Sequence, residues 1–108
     1  MVTTDTFRKL ALSFEGVVEL PHFEKASFRV NKKIFATLSE TNYIACIKLS
    51  ETEQSVFCAF DKTIIFPVPN KWGKQGWTNI DLQKIRKDML KDALTVSFNE
   101  ISRKAAKK

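Results

Sequence analysis

The chain has 108 residues, 44% of them hydrophobic, and its 18 basic and 12 acidic side chains give a net charge of +6. That length fits one domain with one core. It excludes a membrane-spanning helix, since no apolar run approaches ~18 residues, and its two cysteines make neither a disulfide framework nor a zinc set.

Thr4 or Asp5 is placed to cap a first helix. Phe7, Leu10, Ala11 and Phe14 then recur at i, i+3, i+4 and i+7, one apolar helical face, and Gly16 follows as a terminator. The opening Met-Val-Thr-Thr-Asp-Thr lacks the basic-then-apolar pattern of a secretory leader. Val17 to Leu20 reads as a strand running into Pro21.

The segment 27–38, SFRVNKKIFATL, carries the strongest strand signal. Phe28, Val30, Ile34, Ala36 and Leu38 share one parity, and Ser27, Arg29, Phe35 and Thr37 share the other. This predicts a hairpin with an odd-numbered loop at Asn31-Lys32-Lys33, with Phe35 on the outer face beside Arg29. Residues 39–42 form a turn. Tyr43, Ala45, Ile47 and Leu49 mark the next strand.

Ser50 and Glu53 form an S-x-x-E capping box for a helix over 51–60, with Val56, Phe57 and Phe60 as its buried stripe. Cys46 and Cys58 both sit in apolar runs, as buried free thiols would, which fits a reducing, cytoplasmic setting. Ile64 to Val68 is a short strand, and Pro67 puts it at an edge or an end. The loop 70–77, NKWGKQGW, holds both tryptophans and two of the three glycines. Residues 77–82 read as a strand, but Asp81 reads equally well as an N-cap starting the last helix near residue 82. The local pattern leaves both open. The last helix carries Leu90, Ala93, Leu94, Ser97, Phe98 and Ile101 at helical spacing.

Arg103, Lys104, Lys107 and Lys108 close the chain. Without those four, the excess of basic over acidic residues falls to two, so the net charge reflects mainly a short tail. A frayed basic helix end, favourable to the helix dipole, accounts for it. With the 27–38 hairpin counted as one unit, the order is α-β-β-β-α-β-β-α. That order predicts one compact α+β domain over 1–108, an antiparallel sheet with helices packed against it.

The pieces Glu19-Leu20-Pro21-His22-Phe23, Ser27 to Val30, Lys33 to Leu38, Trp72-Gly73-Lys74 with Gly76-Trp77-Thr78, and Ala93 to Phe98 resemble the MmcQ/YjbR family of small bacterial proteins over nearly the whole length. The resemblance implies a frataxin-like or secretion-chaperone-like α+β fold. It implies residues 77–82 as a strand and a last helix starting near 86–88. It also implies DNA binding through a double-wing arrangement. Lys32 departs from the pattern, because the family often has glycine at this turn.

For catalysis, the chain offers no recognisable nucleophile context. His22 is the only histidine, His22-x-Glu24 is not a metal motif, and a structural role is expected for its ring. The first helix carries Asp5, Arg8, Lys9 and, past its end, Glu15, not the clustered acids of an iron-binding frataxin-like helix. The reading is non-enzymatic, with no cofactor, no metal and no membrane.

Two sets of residues suit DNA. Arg29, Lys32 and Lys33 lie at one hairpin tip. Lys71 and Lys74 flank Trp72 in the glycine loop. Cations beside an exposed ring suit a phosphate backbone and stacked bases. The alternative is a protein-interaction module or homodimer using Phe35, Phe66 and Trp72.

Overall fold

The computed structural model describes residues 2–69 and 71–106, with side chains through residue 103. Lys107 and Lys108, and with them much of the expected basic tail, lie outside the described residues.

Helix α1 spans Thr4–Leu12 and is capped by Thr3, one residue earlier than expected, whose hydroxyl accepts from the Thr6 amide at 3.1 Å. Four antiparallel strands follow: β1 Val18–His22, β2 Lys25–Val30, β3 Lys33–Ser39 and β4 Ile44–Lys48. Helix α2, Glu51–Phe60, starts where the capping box places it, with Ser50 Oγ accepting from Glu53 N at 3.1 Å. Then come β5 Ile65–Pro67, the short helix α3 Lys71–Lys74, β6 Trp77–Asp81 and α4 Lys87–Ala106. The 27–38 hairpin thus opens into two strands, and the glycine loop holds a helical turn.

All strands join one antiparallel sheet in the order β1-β2-β3-β4-β6-β5. Pro67 is on edge strand β5, where a missing N–H is tolerated. The choice left open at Asp81 resolves as the resemblance implied. Asp81 ends β6, and its carboxylate accepts from Gln83 N in a turn that precedes α4.

Helix α4 packs on β2, β3 and β4, and α1 packs on α4. The core lies on that face of the sheet. It includes Phe7, Phe28, Leu38, Ile47, Ile80, Leu90 and Leu94, all fully buried. A fully buried side chain of this size contributes about 1.5–3 kcal/mol. Arg8 ties α1 to the sheet: its Nε donates to Glu19 Oε1 at 2.9 Å, and its guanidinium reaches Glu40 Oε1 at 3.1 Å.

Two expectations about faces are corrected. Phe35 is 0% exposed, not on the outer face. The β2–β3 loop has two residues, Asn31 and Lys32, both at positive φ (52° and 70°). A two-residue loop inverts the parity of the facing strand, so Ile34 pairs with Arg29 on the outer side. A bulge then intervenes, because Phe28 pairs with Ala36 and leaves Phe35 as the extra residue. The bulge restores the even phase for Ala36 and Leu38. Phe35 turns inward between Phe14 and Phe98, at ring distances of 6.3 and 5.8 Å. Its carbonyl, displaced from the ladder, accepts from Ser97 Oγ at 2.9 Å.

The second correction concerns α2. Val56 and Phe60 are 56% and 71% exposed. Its inward face is Gln54, Phe57 and Cys58, because α2 packs along edge strand β5 and the sheet covers only a narrow stripe.

Candidate nucleic-acid interface on the open sheet face

The sheet face opposite α4 carries no long helix among the described residues. Its side chains form rows set by register. One row runs Leu20, Ser27, Thr37, Cys46, Asn79, Phe66 across all six strands. Beside it lie Val18, Arg29 and Ile34, with the Lys48–Trp77 pair further across. At the other side are His22 and Lys25.

A cavity of about 580 Å³ opens on this face. It is lined by His22, Lys25, Ile34, Thr37, Cys46, Val68, Trp72, Trp77 and Asn79. Both tryptophans of the chain therefore face one concavity. Trp72 is 51% exposed, and α3 holds it at the rim. Trp77 is half-buried, and Lys48 Nζ lies 5.8 Å from its ring centroid while also donating to the Gln75 carbonyl.

The loop bearing Trp72 is held by close backbone approaches. A Cβ on Gly73 would fall 2.0 Å from Val68 O, and one on Gly76 would fall 1.9 Å from Leu49 O. Only glycine fits such contacts. From α2, Gln54 Nε2 donates to Gly73 O at 2.9 Å and Thr78 Oγ1 at 3.1 Å, and reaches Trp77 O at 3.3 Å. The sequence reading missed Gln54. Its signal was a polar residue three before Phe57 and four before Cys58, on the helix's inward face.

The cations sit around this face. Arg29 lies on it, half-buried, with Nε donating to Ser27 Oγ at 3.0 Å. Lys32 and Lys33 are exposed at the β2–β3 tip, and Lys71 and Lys74 are exposed on α3. Antiparallel register brings the two clusters to one end of the sheet. β3 and β6 both run antiparallel to β4, one on each side of it, so their starts lie toward the end of β4. Phe66 is half-buried on β5, beyond the cavity lining.

Burial pushes the Cys46 thiol up to about 11, with Lys25 pulling the other way. It is therefore a thiol, not a thiolate, at neutral pH. His22 turns its ring edge toward Phe23, 4.8 Å between centroids. Phe23, at the β1–β2 tip, is 94% exposed with φ 59°. Among the described residues, no three His, Cys, Asp or Glu side chains gather as a metal set would.

A family model, YjbR, matches residues 12–100. The chain belongs to the YjbR family. The crystal structure of Deinococcus radiodurans protein DR2400, which carries a DUF419 domain, superposes with a TM-score of 0.84 at 18% identity, covering 96% of this chain and 81% of that one. At that identity the likeness establishes the shared fold. A search of curated proteins returned no match. The YjbR match spans both the bulged hairpin and the tryptophan loop. The open face is thus built from segments inside the family domain, while the first helix lies almost wholly before it.

Proposed function

We propose that this YjbR-family chain is a non-catalytic nucleic-acid-binding protein that lays a single strand of DNA across the open sheet face. The observation that carries this reading is the joint placement of Trp72 and Trp77 in one cavity that Lys25 also lines, on a sheet face that bears Arg29 and has the exposed Lys32, Lys33, Lys71 and Lys74 at one end. Exposed rings stack unpaired bases at about 1–3 kcal/mol each, and a cationic border tracks the phosphates. A duplex buries its base faces and would leave the rings unused.

The test is titration with single-stranded oligonucleotides of about eight nucleotides, read by tryptophan fluorescence, since both reporters line the cavity. Quenching is expected at low salt. The triple change Lys32→Gln, Lys33→Gln, Lys74→Gln should weaken binding about tenfold or more and flatten its salt dependence by roughly 0.7 per lost phosphate contact. Absence of binding at low salt would end the reading.

A second reading is favoured by Val18 and Leu20, which are exposed on the same face. An apolar edge of this kind suits a protein partner or a second copy. The burial of Phe35 removes one of the three rings expected to build that surface. Light scattering decides here: a monomer that still binds DNA leaves this reading without support.

A further inference from the structure

We infer that the cavity on the open face is a base-reading pocket, in which Asn79 and Thr37 recognise one unpaired adenine. The inference rests on the single-strand reading above and names what that strand must present.

Ser27, Thr37, Cys46 and Asn79 form one row across β2, β3, β4 and β6. Its members are cross-strand neighbours in unbroken register, so Thr37 and Asn79 flank Cys46 and lie about 10 Å apart. The polar atoms of this row differ in their use. Ser27 Oγ donates to Leu20 O at 2.8 Å and accepts from Arg29 Nε at 3.0 Å, so it is engaged within the fold. The Thr37 hydroxyl and the Asn79 amide make no hydrogen bond with any described residue, and both line the cavity. Neighbouring polar side chains are tightly held: Gln54 meets three acceptors, and Thr78 Oγ1 donates to Gly76 O at 3.0 Å. Two polar groups left open toward one concavity are what a ligand with a hydrogen-bonding edge would meet.

The rest of the lining selects a flat ring. Cys46 between them is a small, polarisable floor. Ile34 and Val68 add apolar walls, and Trp72 and Trp77 supply ring faces. The cavity of about 580 Å³ is in the ordinary range for small-ligand clefts. An amide side chain offers a donor and an acceptor side by side. Every unpaired base sets a donor beside an acceptor on its Watson–Crick edge, and adenine sets another such pair at N6 and N7, so it can meet the amide by either edge. The hydroxyl of Thr37 can donate or accept, and so serves a second edge. Lys25 at the rim gives the attached phosphate a partner.

The test uses the full-length protein, fluorescein-labelled dA, dT and dC octamers, and AMP. Wild type should prefer dA over dT and dC by about tenfold. Asn79→Ala should reduce dA affinity to the level of dT while changing dT binding less than twofold. Thr37→Val should lower the preference in the same direction. Saturating dA should slow alkylation of Cys46, assigned by mass spectrometry, while Cys58 on α2 is unaffected. If AMP alone gives the same Asn79-dependent quenching and protection, the pocket accepts the base as a free nucleotide. If only the octamer does, it takes the base from a strand; either result upholds the assignment. Equal affinity of wild type for dA, dT and dC would overturn it, as would a preference that survives Asn79→Ala. Those failures differ from failure of the underlying reading, in which no octamer binds at all.

Discussion

Gly76 has φ +105°, and a Cβ there would fall 1.9 Å from the Leu49 carbonyl oxygen. The strand that follows depends on this approach, because Leu49 N donates to Gly76 O at 2.9 Å. Gly76→Ala combines backbone strain with overlap against a rigid carbonyl. It should cost about 3 kcal/mol or more, measured by urea unfolding. A loss under about 1 kcal/mol would mean that the α3 loop shifts freely, against the packing described. Phe23 presents the opposite case. It occupies the first position of a two-residue loop at φ 59° and is 94% exposed. A left-handed conformation costs a non-glycine residue about 1–2 kcal/mol. Phe23→Gly relieves that strain but adds up to about 1 kcal/mol of unfolded-chain entropy. The net expectation is a stability gain of about 0.5–1 kcal/mol, because little packing is lost. Phe23 lies between two cavity-lining residues, so the same variant should bind single-stranded DNA several-fold more weakly. Weaker stability, or unchanged binding, would count against a ring kept for contact.

At the scale of elements, α2 acts as a brace. Its apolar residues Val56 and Phe60 point to solvent, while Gln54 reaches the backbone on both sides of Gly76. Gln54→Ala removes one of two donors from each of the Gly73 and Trp77 carbonyls, which keep Gly76 N and Val68 N, and the donor to Thr78 Oγ1, a loss of about 1 kcal/mol. Its sharper signature is local. Amides of residues 71–77 should exchange faster with solvent while those of β2 and β3 keep their protection; uniform loosening would mean that Gln54 serves only global stability. The same scale explains what was legible in the chain. The capping box of α2, the strand phases after the bulge and the edge proline follow from local chemistry, and they were readable; the start of α4 was not, because Asp81 reads locally as an N-cap as well as a strand end. The hairpin was readable only in part. A two-residue turn inverts parity and the bulge at Phe35 inverts it back, so an alternation count meets the right phase at Ala36 and Leu38 and misplaces Ile34 and Phe35. Nothing local announces the bulge, because its stabilising partners, Ser97 and Phe98, lie some sixty residues away. The site was half legible for the same reason. The lysines and Trp72 stand out as a pattern, but the Thr37–Cys46–Asn79 row exists only once β4 pairs with β3 and β6.

For the whole molecule, the question is which charges hold a polyanion. The net charge of +6 is concentrated at the C-terminal end of the sequence, and the proposed face carries its own cations. The two sources predict different behaviour. A cationic tail attracts any nucleic acid through counterion release alone, without touching a base. The face must also bring bases to Trp72 and Trp77. Changing Arg103, Lys104, Lys107 and Lys108 together to Gln should therefore flatten the salt dependence by at most about 0.7 per residue on single strands, yet leave full tryptophan quenching at saturation. Changing Lys32, Lys33 and Lys74 should lower affinity and also reduce the preference for single strands over duplex, since duplex binding through the tail is untouched. The comparison has a clear adverse result. If the tail variant loses both binding and quenching while the face variant keeps them, the sheet face is not the interface, and the charge of this chain acts only as a nonspecific polycation.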